Sequence, residues 1–219
     1  MKMLDIPRSG SQDSTTSSRN RYGQYTRNRS VPVNPNSTAQ ATVRARISAN
    51  AAAWRDLTDL QRAGWASLGA QMTRSDSLGQ SYTLNGFAAY CSVNNNNVAS
   101  GGAVVAAAPA LVTPPALLTA TLTGTTATLS LAYTATPLGA GAKLFVFAAP
   151  QRSAGRTFEG DYRLIHVSAA AAASPANIFS AFQAKFGVPV VGNKIFVSAL
   201  VYDSGFESGS IGATVTIAA

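Results

Sequence analysis

The chain is poor in charge, in sulfur and in histidine. Its 219 residues hold one cysteine, Cys91, one histidine, His166, 17 Lys/Arg and 9 Asp/Glu. A lone cysteine cannot pair within the chain, so no disulfide framework holds it together. One cysteine and one histidine cannot fill a four-ligand nitrogen/sulfur shell, so no structural metal is expected. A nucleophile–histidine enzyme would have to route every proton transfer through His166, and no second carboxylate joins Glu159 and Asp161 in an acid/base arrangement. Neither GxxxxGK[ST] nor GxGxxG occurs, so no nucleotide cofactor is expected. Long hydrophobic runs are also missing. The best candidate, Ala103 to Leu118, is 16 residues long and holds Pro109, Pro114 and Pro115. A spanning helix needs about 20 apolar residues, so this stretch reads as a stiff linker and no membrane contact is expected. No apolar run follows Lys2, so no secretory leader is expected either.

Charged residues are 12% of the chain, against roughly a quarter in an average soluble protein. Hydrophobic residues make up 46%, which excludes global disorder. The net charge of +8 is unevenly spread. Residues 1–80 carry 11 Lys/Arg against 5 Asp/Glu, and residues 143–219 carry 6 against 4. Residues 81–142 carry no charged side chain. Such a stretch fits a surface that packs against neighbours in an assembly; a neutral, hydrated surface is the plainer alternative.

Residues 1–33 read as an extended basic arm without apolar periodicity, ordering only on a partner. Residues 34–100 read as a helical region. Asn34 is the expected N-cap of its first helix, with Pro35 at the first helical position. Val43, Ile47, Ala51 and Trp54 follow at helical spacing on one face. Thr58-Asp-Leu-Gln61 is a capping box that opens a second helix, with Gln61, Trp65, Leu68 and Met72 on one face. Gly86 to Val98 is a third helix that ends in the asparagine run. Trp54 and Trp65 are expected to meet in a small helical core. Residues 101–117 are the linker.

From residue 118 the period changes to two. Residues 127–133, 143–148, 162–167, 194–202 and 213–217 read as strands, separated by glycine- and serine-rich turns. Five or more strands in about 100 residues predict an antiparallel β-sandwich over 118–219, and an α+β chain as a whole. Ser174 to Gly187 interrupts them as a short helix. Ser174 is its expected cap, Gly187 its stop, and Ile178, Phe182 and Phe186 form an apolar face that plugs the sandwich.

Several motifs together resemble a recurrent phage and prophage protein family of uncharacterised role. They are Arg27/Arg29, Asn34-Pro35-Asn36, Val43-Arg44, Trp54-Arg-Asp-Leu-Thr58 and Gln61-Arg-Ala-Gly-Trp65. The later GFAAYCSVNNN and SAGRTF…DYRLI…FG…GNKIFV patterns share the likeness, which covers most of residues 20–205. It implies a virion component made in the host cytoplasm. The C-terminal half resembles an immunoglobulin or fibronectin type III sandwich.

On this reading the chain is a non-enzymatic virion structural protein. It would be a head decoration or cement protein, or a component of the head–tail region, present in many copies. The expected contact residues with major capsid or other virion subunits are Arg19, Arg21, Tyr22, Tyr25, Arg27 and Arg29 on the arm, with Arg44 and Arg46 on the first helix. Nucleic acid is an alternative partner, since arginines could bind phosphates and Tyr22 and Tyr25 could stack on bases. A receptor- or carbohydrate-binding sandwich is another. It would expose Phe158, Tyr162, Tyr202 and Phe206, beside a contact loop at Gln151 to Phe158.

Overall fold

The computed structural model describes residues 8–31, 33–134 and 136–218. The chain divides into two compact units. The first runs to Cys91 and takes in Ala106–Ala108; the second is Ser92–Val105 with Pro109 onward.

In the first unit, the described part of the expected arm is a sheet. β1 (Gly10–Gln12), β2 (Thr15–Asn20) and β3 (Gly23–Asn28) form an antiparallel meander in that order. Ser17 opposes both Gly10 and Thr26, and Ser18 opposes Tyr25. The turns are made by polar chemistry. Asp13 takes φ 50, Gly23 takes φ 116, and the Asn20 side chain accepts from the Tyr22 N–H at 2.9 Å. Threonine and Tyr25 supply β propensity here without any apolar alternation, so periodicity could not reveal the sheet.

Helix α1 (Thr38–Arg55) begins later than the Asn34-Pro35 signal. Ser37 is its N-cap, and a reciprocal box with Gln40 satisfies both backbone donors. Asn34 and Asn36 serve the approach instead, each accepting one hydrogen bond from the Arg44 guanidinium at 2.9 Å. Helix α2 (Asp59–Gln71) starts at the predicted Thr58–Gln61 box. A hairpin of β4 (Thr73–Ser75) and β5 (Ser81–Thr83) then interrupts the expected all-helical region. Its turn is closed by Asp76, whose carboxylate accepts from the N–H groups of Leu78 and Gln80. Helix α3 (Gly86–Ala99) follows. Trp54 and Trp65 do not pair directly. Tyr90 of α3 lies between them, with ring centroids 5.3 Å from Trp54 and 5.1 Å from Trp65. The Trp65 indole donates to the Ala106 carbonyl at 2.8 Å, so this part of the 101–117 segment belongs to the core.

The second unit continues through β6 (Thr119–Gly124), β7 (Leu129–Thr134), β8 (Lys143–Ala148), β9 (Arg152–Ser153), β10 (Arg163–Val167) and β11 (Ala176–Asn177). It ends with α4 (Phe179–Phe186), β12 (Asn193–Asp203), β13 (Phe206–Glu207) and β14 (Ile211–Thr216). One sheet has the order β11-β7-β6; the other runs β10-β8-β12 with β14 on the far side of β12. All these pairings are antiparallel. A three-stranded sheet faces a six-stranded one, which the short β9 and β13 complete by pairing with β12, in an immunoglobulin/fibronectin type III-like sandwich. Alternation builds its core: Leu129 and Leu131 of β7, Leu144 and Val146 of β8, and Ile195 and Val197 of β12 are buried. Each such side chain is worth about 1.5–3 kcal/mol.

The α4 insert departs from its sequence signal at the N-terminus. Ser174 caps no helix; its hydroxyl accepts from the Tyr133 N–H at 2.9 Å, and Ala176–Asn177 pair with β7. The helix starts only at Phe179, and Gly187 stops it at φ 85 as expected. Ile178 and Phe182 are fully buried against the sandwich. In this unit α3 uses its asparagines as backbone mimics. The Asn94 amide accepts from the Val105 N–H at 2.8 Å and donates to the Val105 carbonyl at 3.2 Å. Asn96 donates to the Gly205 carbonyl, and Asn97 accepts from the Tyr202 hydroxyl.

Candidate interaction surface

The β1–β3 meander distributes the expected contact residues over two faces and a turn. Cross-strand partners share a face, so Tyr25 and Arg27 lie on one side with Ser18 and Thr16, while Arg19 lies on the other with Gln24. Arg21 and Tyr22 form the β2–β3 turn. The Arg21 guanidinium sits 4.6 Å from the centre of the Tyr22 ring and donates to its hydroxyl. Arg29 follows β3, its backbone N–H reaching the Ser14 carbonyl at 2.7 Å. The six residues are therefore neighbours without forming a single patch. The side chains of Arg19 and Arg27 have no hydrogen-bond or ion-pair partner among the described residues. No residue of the three strands is buried, and none is aliphatic. Three strands need a hydrophobic face or a packing partner for independent stability, and this sheet has no hydrophobic face. β1 and β3 are its open edges.

Helix α1 is likewise under-packed. Asn50 is its only buried residue. The predicted stripe divides along its length. Ala51 and Trp54 are half-buried, and Trp54 joins the aromatic cluster with Phe87 and Tyr90. Val43 and Ile47 remain 51% and 45% exposed. Arg46 is half-buried on the same stretch. Arg44, expected on the contact surface, spends its guanidinium on Asn34 and Asn36, so its clearest role is to fix the turn into α1.

On the sandwich, the four aromatics proposed for receptor contact separate. Tyr202 and Phe206 are buried; Tyr202 stacks on Phe145 with centroids 4.9 Å apart. Phe158 is 74% exposed and Tyr162 is 36% exposed. The Phe158 loop is organised by the buried Glu159, which periodicity could not single out. Its carboxylate accepts from the Arg152 guanidinium at 2.5 Å and from the backbone N–H groups of Gly160 and Asp161. These bonds, Arg152 first, hold its pKa down at about 2. Arg156 adds a longer ion pair at 3.8 Å and donates to the Phe158 carbonyl.

His166 lies on β10 at a bulge, half-buried, and burial pushes its pKa down. Cys91 is half-buried in α3, and burial raises its thiol. Among the described residues no three His, Cys, Asp or Glu side chains are gathered to hold a metal ion. No described helix is long and apolar enough to cross a membrane.

No protein-family profile matches the chain, and no curated protein does. A solved Fn3-like protein from Clostridium thermocellum is similar at 20% identity and a TM-score of 0.32, covering 49% of this chain and 97% of that one.

Proposed function

We propose that the chain is a non-enzymatic structural component of a phage particle. It docks on a major capsid or other virion subunit through the β1–β3 sheet and the open stripe of α1, while the sandwich projects. One observation carries this reading: the first quarter of the chain, up to the end of α1 at Arg55, forms regular secondary structure with almost no core of its own. The sheet has no buried residue and α1 has one. Structure of this kind gains its missing apolar contacts on a partner. Val43 and Ile47 supply the apolar contacts, and Arg19, Arg27 and the Arg21–Tyr22 turn supply the polar rim. The resemblance of the Arg27-to-Trp65 motifs to a phage family supplies the particle, and docking many copies makes the protein a virion component.

The test is cosedimentation of the purified chain with isolated phage heads. Saturable binding is expected, weakened at least tenfold by V43D/I47D. These two side chains are exposed, so the fold survives the change. Absence of head binding, together with salt-sensitive retention on duplex DNA, would replace this reading with the nucleic-acid one.

A further inference from the structure

The sandwich carries an exposed aromatic knob at one end and an apolar socket at the other. The knob is Phe158, presented on the loop that Glu159 ties to Arg152. Arg152 in turn pairs with Lys194 at the start of β12. Gln151, one residue earlier, binds the Val188 carbonyl and the Val190 N–H, each at 3.0 Å, so exposed Val188 and Val190 stand at the same end. The socket is a cavity of about 90 Å³ with Asp203, the last residue of β12, at its wall. Its floor is the buried set Leu117, Leu138, Ala142 and Val201, and its rim is the exposed Pro115, Pro137 and Gly139. The two features are separated by the eleven residues of β12, roughly 33 Å of strand.

We propose that copies of this chain associate head to tail, the Phe158 knob of one sandwich entering the socket of the next. Size and charge both favour a second copy as the occupant. The cavity volume of about 90 Å³ is of the order of one aromatic ring, so the tip of a phenylalanine fits its apolar floor. Arg156 flanks the knob, its side chain half-exposed and only loosely held by Glu159 at 3.8 Å. Asp203 presents the opposite charge at the socket, where Gly139 leaves the approach open. The loop is already ordered by its ion pairs, so little loop entropy is lost on docking. A contact between unlike patches is heterologous and propagates from copy to copy. It is small, so it is weak between free copies and becomes effective where copies are held close together. It uses no residue of β1–β3 or α1, and stands or falls separately from N-terminal docking.

The experiment is sedimentation equilibrium of the full chain over a wide concentration range, with two variants. F158S removes the knob at an exposed position. G139L adds bulk at the rim of the socket, at a position where an added Cβ meets no neighbour within 4 Å and so leaves the fold undisturbed. The weight-average mass of the parent is expected to rise above 22.5 kDa with concentration. Each variant alone is expected to stay monomeric at tenfold higher concentration. An equimolar mixture is expected to form a dimer, because the knob of G139L still meets the socket of F158S. A parent that stays monomeric throughout, a variant that associates like the parent, or a mixture that stays monomeric each overturns the proposal.

Discussion

Replacing Tyr90 by phenylalanine should stabilise the first unit, against the usual sign of that substitution. Tyr90 is fully buried, edge-on to Trp65 at 84° and tilted against Trp54. Its hydroxyl is buried and has no hydrogen-bond partner among the described residues. Burial, with a smaller contribution from Cys91, pushes the phenol pKa up, so the group is neutral across the working range. A buried hydroxyl without a partner costs about 1–3 kcal/mol. Phenylalanine keeps the ring contacts and leaves only an oxygen-sized void, a penalty of about 0.3 kcal/mol at ~24 cal/mol per Å³. The net gain is therefore about 1–2 kcal/mol. In a chain of this size that raises the melting midpoint by roughly 2–8 °C. The chain's two tryptophans both touch Tyr90, so fluorescence-detected unfolding reads this unit directly. A midpoint lowered by the equivalent of about 1 kcal/mol, the ordinary cost of losing a satisfied hydrogen bond, would refute the reasoning and place a bound water or another partner on the hydroxyl.

Glu159 should make the Phe158 loop acid-sensitive. Its folded pKa of about 2 lies below the ordinary glutamate value of 4.5, so the folded state binds fewer protons. The stabilisation is complete above about pH 4.5 and is lost as the pH falls toward 2. The Gly160 and Asp161 amide resonances should titrate with a midpoint near 2 and lose that titration in E159Q; a midpoint near 4.5 would sink the assignment. Gly205 should not tolerate a side chain. At φ 95 an added Cβ would lie 2.3 Å from Val93 Cγ1 of α3, so G205A should cost about 2–4 kcal/mol from overpacking and backbone strain. Urea unfolding within about 0.5 kcal/mol of the parent, the range of a neutral surface change, would contradict this.

The sandwich was legible because its signals are local and redundant. Leu129, Leu131 and Tyr133 alternate, and Lys143 to Ala148 is continuous because β8 is covered on both faces. The Thr58 box was equally readable, since all its partners lie within four residues. The failures share a cause in competition between polar partners. Asn34 and Ser174 each carry a good capping side chain, but Arg44 claims the first and the Tyr133 backbone the second. Both claims are settled by groups distant in sequence. At the candidate surface, the residue types were readable and their division between two faces was not. That division depends on the register Arg19↔Gln24 and Ser18↔Tyr25, which no apolar pattern fixes.

The charge-free stretch serves two ends, one inside the fold and one at its surface. Residues 81–142 invited the reading of an interface because nothing in them is ionised. Asn94, Asn96 and Asn97 instead turn their amides inward, onto Val105, Gly205 and Tyr202. A neutral amide is cheaper to bury than a carboxylate or an ammonium, provided both its donor and its acceptor are used, and Asn94 uses both. Internal packing thus accounts for these asparagines, while Val104, Leu111, Val112 and Leu118 of the same stretch stay exposed. A separate case for a partner stands at the other end of the chain, where Arg19 and Arg27 are without a counter-charge and Val43 and Ile47 without a neighbouring core. The sheet is hard to read from sequence because no apolar face marks it, whereas the stripe of α1 was legible and only its exposure at Val43 and Ile47 was not.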